Sequence, residues 1–175
     1  MPKFTRGRYR ARLATNESDV EAAQKLRFQA FIANRDAAVE GTRADGIDAD
    51  HLDPACHHML VEERRSGDLV CCFRMMPLKT GAEIDRCYSA QFYDLEALRA
   101  YPGAMVEMGR FCILPGIKDP DILRVAWGAM TKYVDDHGVE MLFGCSSFEG
   151  TEAESYMDAF ALLKARHIAP KRWLP

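Results

Sequence analysis

The sequence predicts an α/β domain with a mixed central sheet flanked by helices. Three observations carry this. Short strand-like runs and amphipathic helical segments follow one another in the order strand, helix, long loop, three strands, helix, strand, helix. Two of the strands, in "HMLVEERRSGDLVCCFRMMPL", are joined by a Ser66-Gly67-Asp68 turn, so at least one pair is antiparallel and a purely parallel sheet is ruled out. The 175 residues suit one domain over 1–175 with a sizeable core.

"RYRARLA" alternates Tyr9, Ala11 and Leu13 with Arg8, Arg10 and Arg12, as a half-buried strand does. "NESDVEAAQKLRFQAFIAN" opens on cap residues and then keeps helical spacing through Val20, Ala23, Ala30 and Phe31, with Arg27 on the same face. Residues 35–57 have no period. "RADGIDADHLDPACHH" is acidic and turn-rich, which predicts a long functional loop. "DLEALRAY" reads as a short helix and "AMVEMGRFCI" as the next strand. Asp119-Pro120 then opens a strong helix, Asp as N-cap and Pro at the first helical position. Its stripe is Ile122, Val125, Ala126, Ala129, Met130, Tyr133 and Val134, and Gly138 ends it. "VEMLFGCSS" is a further strand. "TEAESYMDAFALLKAR" is a last helix with Tyr156, Phe160 and Leu163 on one face.

No apolar run reaches the about 18 residues that a membrane span needs, and no signal-peptide core follows the basic N-terminus. A cytoplasmic location is therefore expected. Cys56, Cys71, Cys72, Cys87, Cys112 and Cys145 contain no C-x-x-C pair, and buried reduced thiols are expected. The net charge of −3 hides an asymmetry. The two ends carry nine positive charges and no acid, through Lys3, Arg6, Arg8, Arg10 and Arg12 on one side and Lys164, Arg166, Lys171 and Arg172 on the other. Such ends suit an acidic partner or a peripheral contact with an anionic membrane face, and no nucleic acid is expected.

The chemistry centres on "MVEMGRFCILP". Glu107 and Arg110 interrupt an apolar strand, and ideal alternation would send them to opposite faces. A bulge at Met108-Gly109 would reset the alternation and turn both into one cleft. Arg27 on its helix stripe, Arg74 within "LVCCFRMMPL", and Asp50 and Asp53 in the acidic loop are further charges in such settings. Separate burial of each is costly, so one compensating cluster is expected. His51, Asp53, Cys56, His57 and His58 fit no common zinc spacing, and adjacent His57 and His58 would point apart in a strand, so no metal is expected. "GCSSF" has Phe148 where a nucleophile elbow needs glycine, so a serine hydrolase is not expected either.

Arg27-x3-Phe31, Asp50-x2-Asp53, Arg74 before "MMPL", Phe92 and Glu107-x2-Arg110-Phe111 together resemble the acyl-homoserine-lactone synthases, which have the GNAT acyltransferase fold. The fuller wording of "HHMLVEE", "VEMGRFCI", "DPDILRVAWGAM" and "GVEMLFGCSSF" resembles a sister family, the hemolysin-like ornithine N-acyltransferases of ornithine-lipid synthesis. The resemblance runs from about Tyr9 to Pro175. Family members often continue past "APKRWLP", which implies a short form lacking a C-terminal extension.

The resemblance implies transfer of a 3-hydroxy fatty acyl group from acyl carrier protein to the α-amine of ornithine, giving a lyso-lipid, with no separate cofactor. Ile113-Leu114-Pro115 resembles the start of the coenzyme A pyrophosphate turn of GNAT acetyltransferases, but the rest is missing, and Asp119 and Asp121 stand near the helix start. Both points favour the carrier protein over coenzyme A. Glu107 is then a candidate base or amine binder, with Arg110 beside it. Asp50 and Asp53 are candidates for a second, cationic amine, and Arg27 or Arg74 for ordering these acids or taking the substrate carboxylate. Phe31 and Phe92 are further substrate-site positions by resemblance. Tyr156 lies where many GNAT enzymes keep a thiolate-protonating tyrosine, a packing role being the alternative. Met75, Met76, Met105, Met108, Met130 and Met141 are candidates to line an acyl slot or to fill the core. The rival readings are an acyl-homoserine-lactone synthase using S-adenosylmethionine, glutamine as acceptor, and a non-catalytic acyl-carrier-binding module.

Overall fold

The computed structural model describes residues 3–33, 46–148, 150 and 152–174. Part of the acidic loop, 34–45, lies outside them. Six strands form one sheet in sequence order: β1 (Lys3–Arg6), β2 (Tyr9–Leu13), β3 (His57–Glu63), β4 (Leu69–Leu78), β5 (Met105–Ile113) and β6 (Met141–Phe143). The first five pair antiparallel and β6 runs parallel to β5, so the sheet is mixed as the sequence predicts. β1 has no alternating pattern to announce it. Its one large apolar residue, Phe4, packs on the sheet's helix at Gly128, where a Cβ would stand 2.5 Å from the ring.

Helix α1 (Glu17–Phe31) covers one face and α3 (Pro120–His137) the other. Asn16 caps α1 by accepting from the Asp19 amide, and Asp119 caps α3 by accepting from that of Asp121. The α3 stripe is buried as expected, against Tyr9, Met59, Val61, Phe73, Met75 and Val106. A smaller core joins Ala23 and Leu26 of α1 to Leu60, Cys72 and Cys112. A third packs Met76, Leu78 and Met105 against Ile84, Cys87, Leu95 and Leu98, from the segment ending in short helix α2 (Glu96–Arg99). Cys71, Cys72, Cys87 and Cys112 are buried thiols, whereas Cys145 is exposed.

Helix α4 (Met157–Arg166) forms where the sequence predicts a last helix, with Tyr156 in the short turn that precedes it. It buries no residue. Phe160 instead meets Phe148 at 5.1 Å and Tyr156 at 6.4 Å between ring centres. Met157, Phe160, Leu162 and Leu163 are all exposed, so among the described residues no surface receives the apolar side chains of this helix. Among the described residues, no helix is long and apolar enough to cross a membrane.

The bulge in β5 exists, one step later than Met108-Gly109. Arg74 pairs with Gly109 and Cys72 with Cys112, so Phe73 alone faces both Arg110 and Phe111. The residue with left-handed backbone is Arg110 itself, at φ +54°, not the glycine. Arginine in that region costs about 1–2 kcal/mol. Acid partners on its side chain offset the cost. The extra residue lets Met105, Glu107 and Gly109 share the α1 side with Cys112, while Val106 and Met108 share the α3 side with Phe111 and Ile113.

Candidate active site

Arg27, Arg74 and Arg110 come from α1, β4 and β5, and one short segment of loop answers all three. Arg27 donates from Nη1 and Nη2 to Asp53 Oδ1 and Oδ2 at 2.9 and 3.1 Å, and from Nε to Asp48 Oδ2 at 3.0 Å. It also bonds the Asp48 carbonyl. Arg74 Nη1 donates to Asp50 Oδ1 at 2.6 Å and to Asp53 Oδ1 at 2.7 Å. Arg110 places Nε 3.2 Å from Asp48 Oδ2 and Nη2 3.4 Å from Asp50 Oδ2. Gln24 adds a bond to Asp53 Oδ2 at 2.9 Å. His58 holds the loop by donating from Nε2 to the Asp53 carbonyl at 3.0 Å.

Burial alone would raise the Asp53 carboxyl. The bonds and charge of Arg27, with Gln24 and Arg74, overcome it and hold the group well below the usual carboxylate range. Asp50 is lowered in the same way by Arg74 against its own burial. Three arginines and three aspartates thus cancel in charge. Arg27 and Arg74 are sealed, at 1% and 4% side-chain exposure, whereas Arg110 keeps 27%.

Glu107 belongs to a different group of bonds. Its Oε1 accepts from the Ser89 amide at 2.6 Å and the Ser89 hydroxyl at 2.5 Å, and its Oε2 from the Tyr88 amide at 2.7 Å. The expected ion cluster therefore forms without it. Glu107 and Arg110 do face the same space, and Tyr88 links them, with the Arg110 guanidinium 5.4 Å from the centre of its ring.

That space is a cavity of about 870 Å³. Its polar wall is Asp48, Arg74, Glu107 and Arg110; its apolar wall is Met108, Phe111, Leu123 and Trp127; Cys145, Ser146 and Ser147 close the β6 side. The β5–β6 ladder ends at Glu107 and Phe143. Gly144 still passes so near Met108 that a Cβ there would stand 2.3 Å from its carbonyl oxygen. Beyond it the chain leaves β5 and the cleft opens.

Of the other sequence candidates, Phe31 and Met76 line the cavity with Met108. Phe92 does not; it is 64% exposed, its ring 5.0 Å from that of Tyr88. Tyr156 is also off the wall, 4.7 Å from Phe148. Met75, Met105 and Met130 are core, and Met141 packs beside it. Asp48, Gln24, Tyr88, Ser89, Cys145 and Trp127 escaped the sequence reading. Counting charges would have found Asp48, since three arginines call for a third acid and "DGIDADHLD" offers it.

His57 and His58 point to opposite faces. His57 Nδ1 lies 2.7 Å from the Tyr133 hydroxyl of α3, opposite the Asp53 side, and no metal-binding group occurs among the described residues. The N-terminal arginines also need correcting. Arg8 pairs with Glu63, Arg10 with Glu62, and Arg12 with Asp19 and Glu62, because β2 lies beside the acidic end of β3. They are not free for a partner. At the start of α3, Asp119 accepts a further bond from the Tyr9 hydroxyl at 3.0 Å.

Residues 26–128 match the model of the acetyltransferase (GNAT) domain. The L-ornithine N(alpha)-acyltransferase of Rhodobacter capsulatus is 31% identical over 95% of this chain and 67% of its own length. The chain belongs to the ornithine N-acyltransferase branch of the GNAT family. A second relative of that name, from Agrobacterium fabrum, is 30% identical over 95% of this chain and 60% of its own. The chain thus spans about three fifths to two thirds of these GNAT relatives. Among solved structures, the fold is shared with the AHL synthase LasI (TM-score 0.58, 20% identity, 86% of this chain and 77% of that one). It is also shared with FeeM, an N-acyl amino acid synthase from uncultured soil microbes (TM-score 0.55, 13% identity, 89% and 77%).

Proposed function

We propose that this chain transfers a 3-hydroxy fatty acyl group from acyl carrier protein to the α-amine of ornithine, forming a lyso-ornithine lipid in the cytoplasm. The observation that carries the reading is a cavity whose apolar wall and ionic wall meet at the β5 bulge. The family membership supports the acceptor. So does the charge balance, because the cancelled cluster leaves Glu107 as the surplus negative charge, matched to an amino acid of net charge +1.

The acyl chain lies along Met108, Phe111, Leu123 and Trp127. The neutral α-amine attacks the thioester carbon, the new C–N bond forms, and the amine proton passes to Glu107 directly or through water. The C–S bond breaks with its electron pair leaving on the carrier's pantetheine sulfur as a thiolate, which water protonates. At the bulge, where Phe73 faces both Arg110 and Phe111, a β5 N–H is the candidate donor to the oxyanion. Arg110, the exposed arginine of the cluster, takes the substrate carboxylate, with Asp48 beside it for the side-chain ammonium. Tyr156, off the cavity wall, has no assigned step.

A carrier-bound donor is favoured at the α3 start, where Asp119 already caps the helix and Asp121 adds charge of the wrong sign for a pyrophosphate. Lys164, Arg166, Lys171 and Arg172 have no carboxylate partner among the described residues, and these remain to meet an acidic carrier. The test is incubation with 3-hydroxyacyl carrier protein and an amino-acid panel, read by mass spectrometry, beside matched acyl-coenzyme A. Acyl-ornithine from the carrier arm is expected. Equal turnover with coenzyme A removes the donor assignment, and preference for another amino acid removes the acceptor.

A further inference from the structure

We propose that Ser89 is a positioning residue for Glu107, fixing which carboxylate oxygen meets the amine; this rests on the acyl-transfer reading above. Each carboxylate oxygen offers two lone-pair directions. On Oε1 both are taken, by the amide and the hydroxyl of Ser89, while Oε2 holds only the Tyr88 amide. The amine is therefore received at Oε2. Ser89 is 4% exposed and stands behind the cavity wall, so it acts through Glu107 and does not touch substrate.

The second contact of Ser89 gives this arrangement a direction. Its hydroxyl lies 3.2 Å from Cys145 Sγ. A serine has one O–H, and here it is given to Glu107, so the thiol is the donor in the contact. The order is Cys145 S–H to Ser89 O–H to Glu107 carboxylate. Cys145 sits on the far arm of the cleft, two residues past the end of the β5–β6 ladder. Ser89 thus ties the carboxylate on β5 to the segment that the donor must pass.

Steady-state kinetics of Ser89→Ala and Ser89→Thr, with each substrate varied in turn, test this. Ser89→Ala should lower kcat by about 10-fold or more with both KM values within about 2-fold, because orientation of the base is lost while binding is kept. Ser89→Thr, which keeps the hydroxyl, should recover most of the rate. A kcat for Ser89→Ala within about 2-fold of the parent, or a folded Ser89→Thr as slow as Ser89→Ala, overturns the proposal. Difference infrared spectra of the Glu carboxylate give a readout without turnover. Losing the Ser89 hydroxyl bond should shift the carboxylate stretch, and an unmoved band overturns the proposal. If the parent transfers no acyl group, the functional reading fails while the infrared shift still judges the tie between Ser89 and Glu107.

Discussion

Arg27 and Asp53 are joined by two parallel hydrogen bonds, at 2.9 and 3.1 Å, with side-chain exposures of 1% and 4%. Asp53 also serves Arg74 and Gln24. Neutralising it strands two buried guanidinium groups. Asp53→Asn should cost about 3–5 kcal/mol in urea unfolding. Asp50→Asn should cost less, since Asp50 is 21% exposed and Arg74 keeps Asp53.

Arg110 separates backbone geometry from charge. Arg110→Gly relieves the left-handed backbone by about 1 kcal/mol while deleting the contacts to Asp48 and Asp50. Stability should therefore change little, whereas acceptor KM should rise about 10-fold or more, as for loss of a charge-assisted contact. Gly109→Ala should be mild in both assays, because a Cβ there meets only Arg74 Nε, at 3.9 Å.

Glu107→Gln should lower kcat by about 10²-fold or more, the mark of a lost proton acceptor. It should also destabilise. All three partners of Glu107 are donors, so the new amide NH₂ must face one of them, at a cost of about 1–3 kcal/mol. A raised acceptor KM with kcat kept would instead make Glu107 an amine binder.

Acid should unfold the protein in two stages. Burial lowers His57, with His137 and His58 adding to the effect, and burial also lowers His58. The unfolded chain therefore binds these protons first, and stability falls as pH drops below about 6.5. Asp50 and Asp53 are depressed, so their contribution stays whole above about pH 4 and is lost only below it. Melting temperature against pH should show both limbs, and His58→Gln should flatten the upper one.

Charge reversal at Lys164, Arg166, Lys171 and Arg172 should raise the KM for acyl carrier protein, and added salt should do the same in the parent. Reversal at Arg8 or Arg12 should act on stability instead, through Glu63 or Asp19 and Glu62. Salt-independent donor kinetics would remove the charge argument.

The helix α3 was legible because its cap, stripe and terminating glycine all agree, and so was the antiparallel β3–β4 pair from the Ser66-Asp68 turn. The convergence of Arg27, Asp50, Asp53, Arg74 and Arg110 could be read from the cost of burying charge. The exact place of the bulge could not. Sequence pointed to Gly109 as the permissive residue, but tertiary acids pay for a left-handed Arg110. The grip on Glu107 was hidden for another reason. Two of its three bonds come from backbone amides, which every residue at 88 and 89 except proline would supply, so no side-chain pattern announces them.

The apolar wall also gives the protein its own optical probe. The chain has two tryptophans. Trp127 is 48% exposed on the cavity wall, 6.5 Å from the Phe111 ring, whereas Trp173 packs edge-on to Tyr101 outside it. An acyl chain laid along Met108 and Phe111 would strip water from the Trp127 indole and move its emission to shorter wavelength. In a Trp173→Phe background that single fluorophore would count bound acyl chains before any amine is added, so the order of substrate arrival becomes directly visible in a stopped-flow trace.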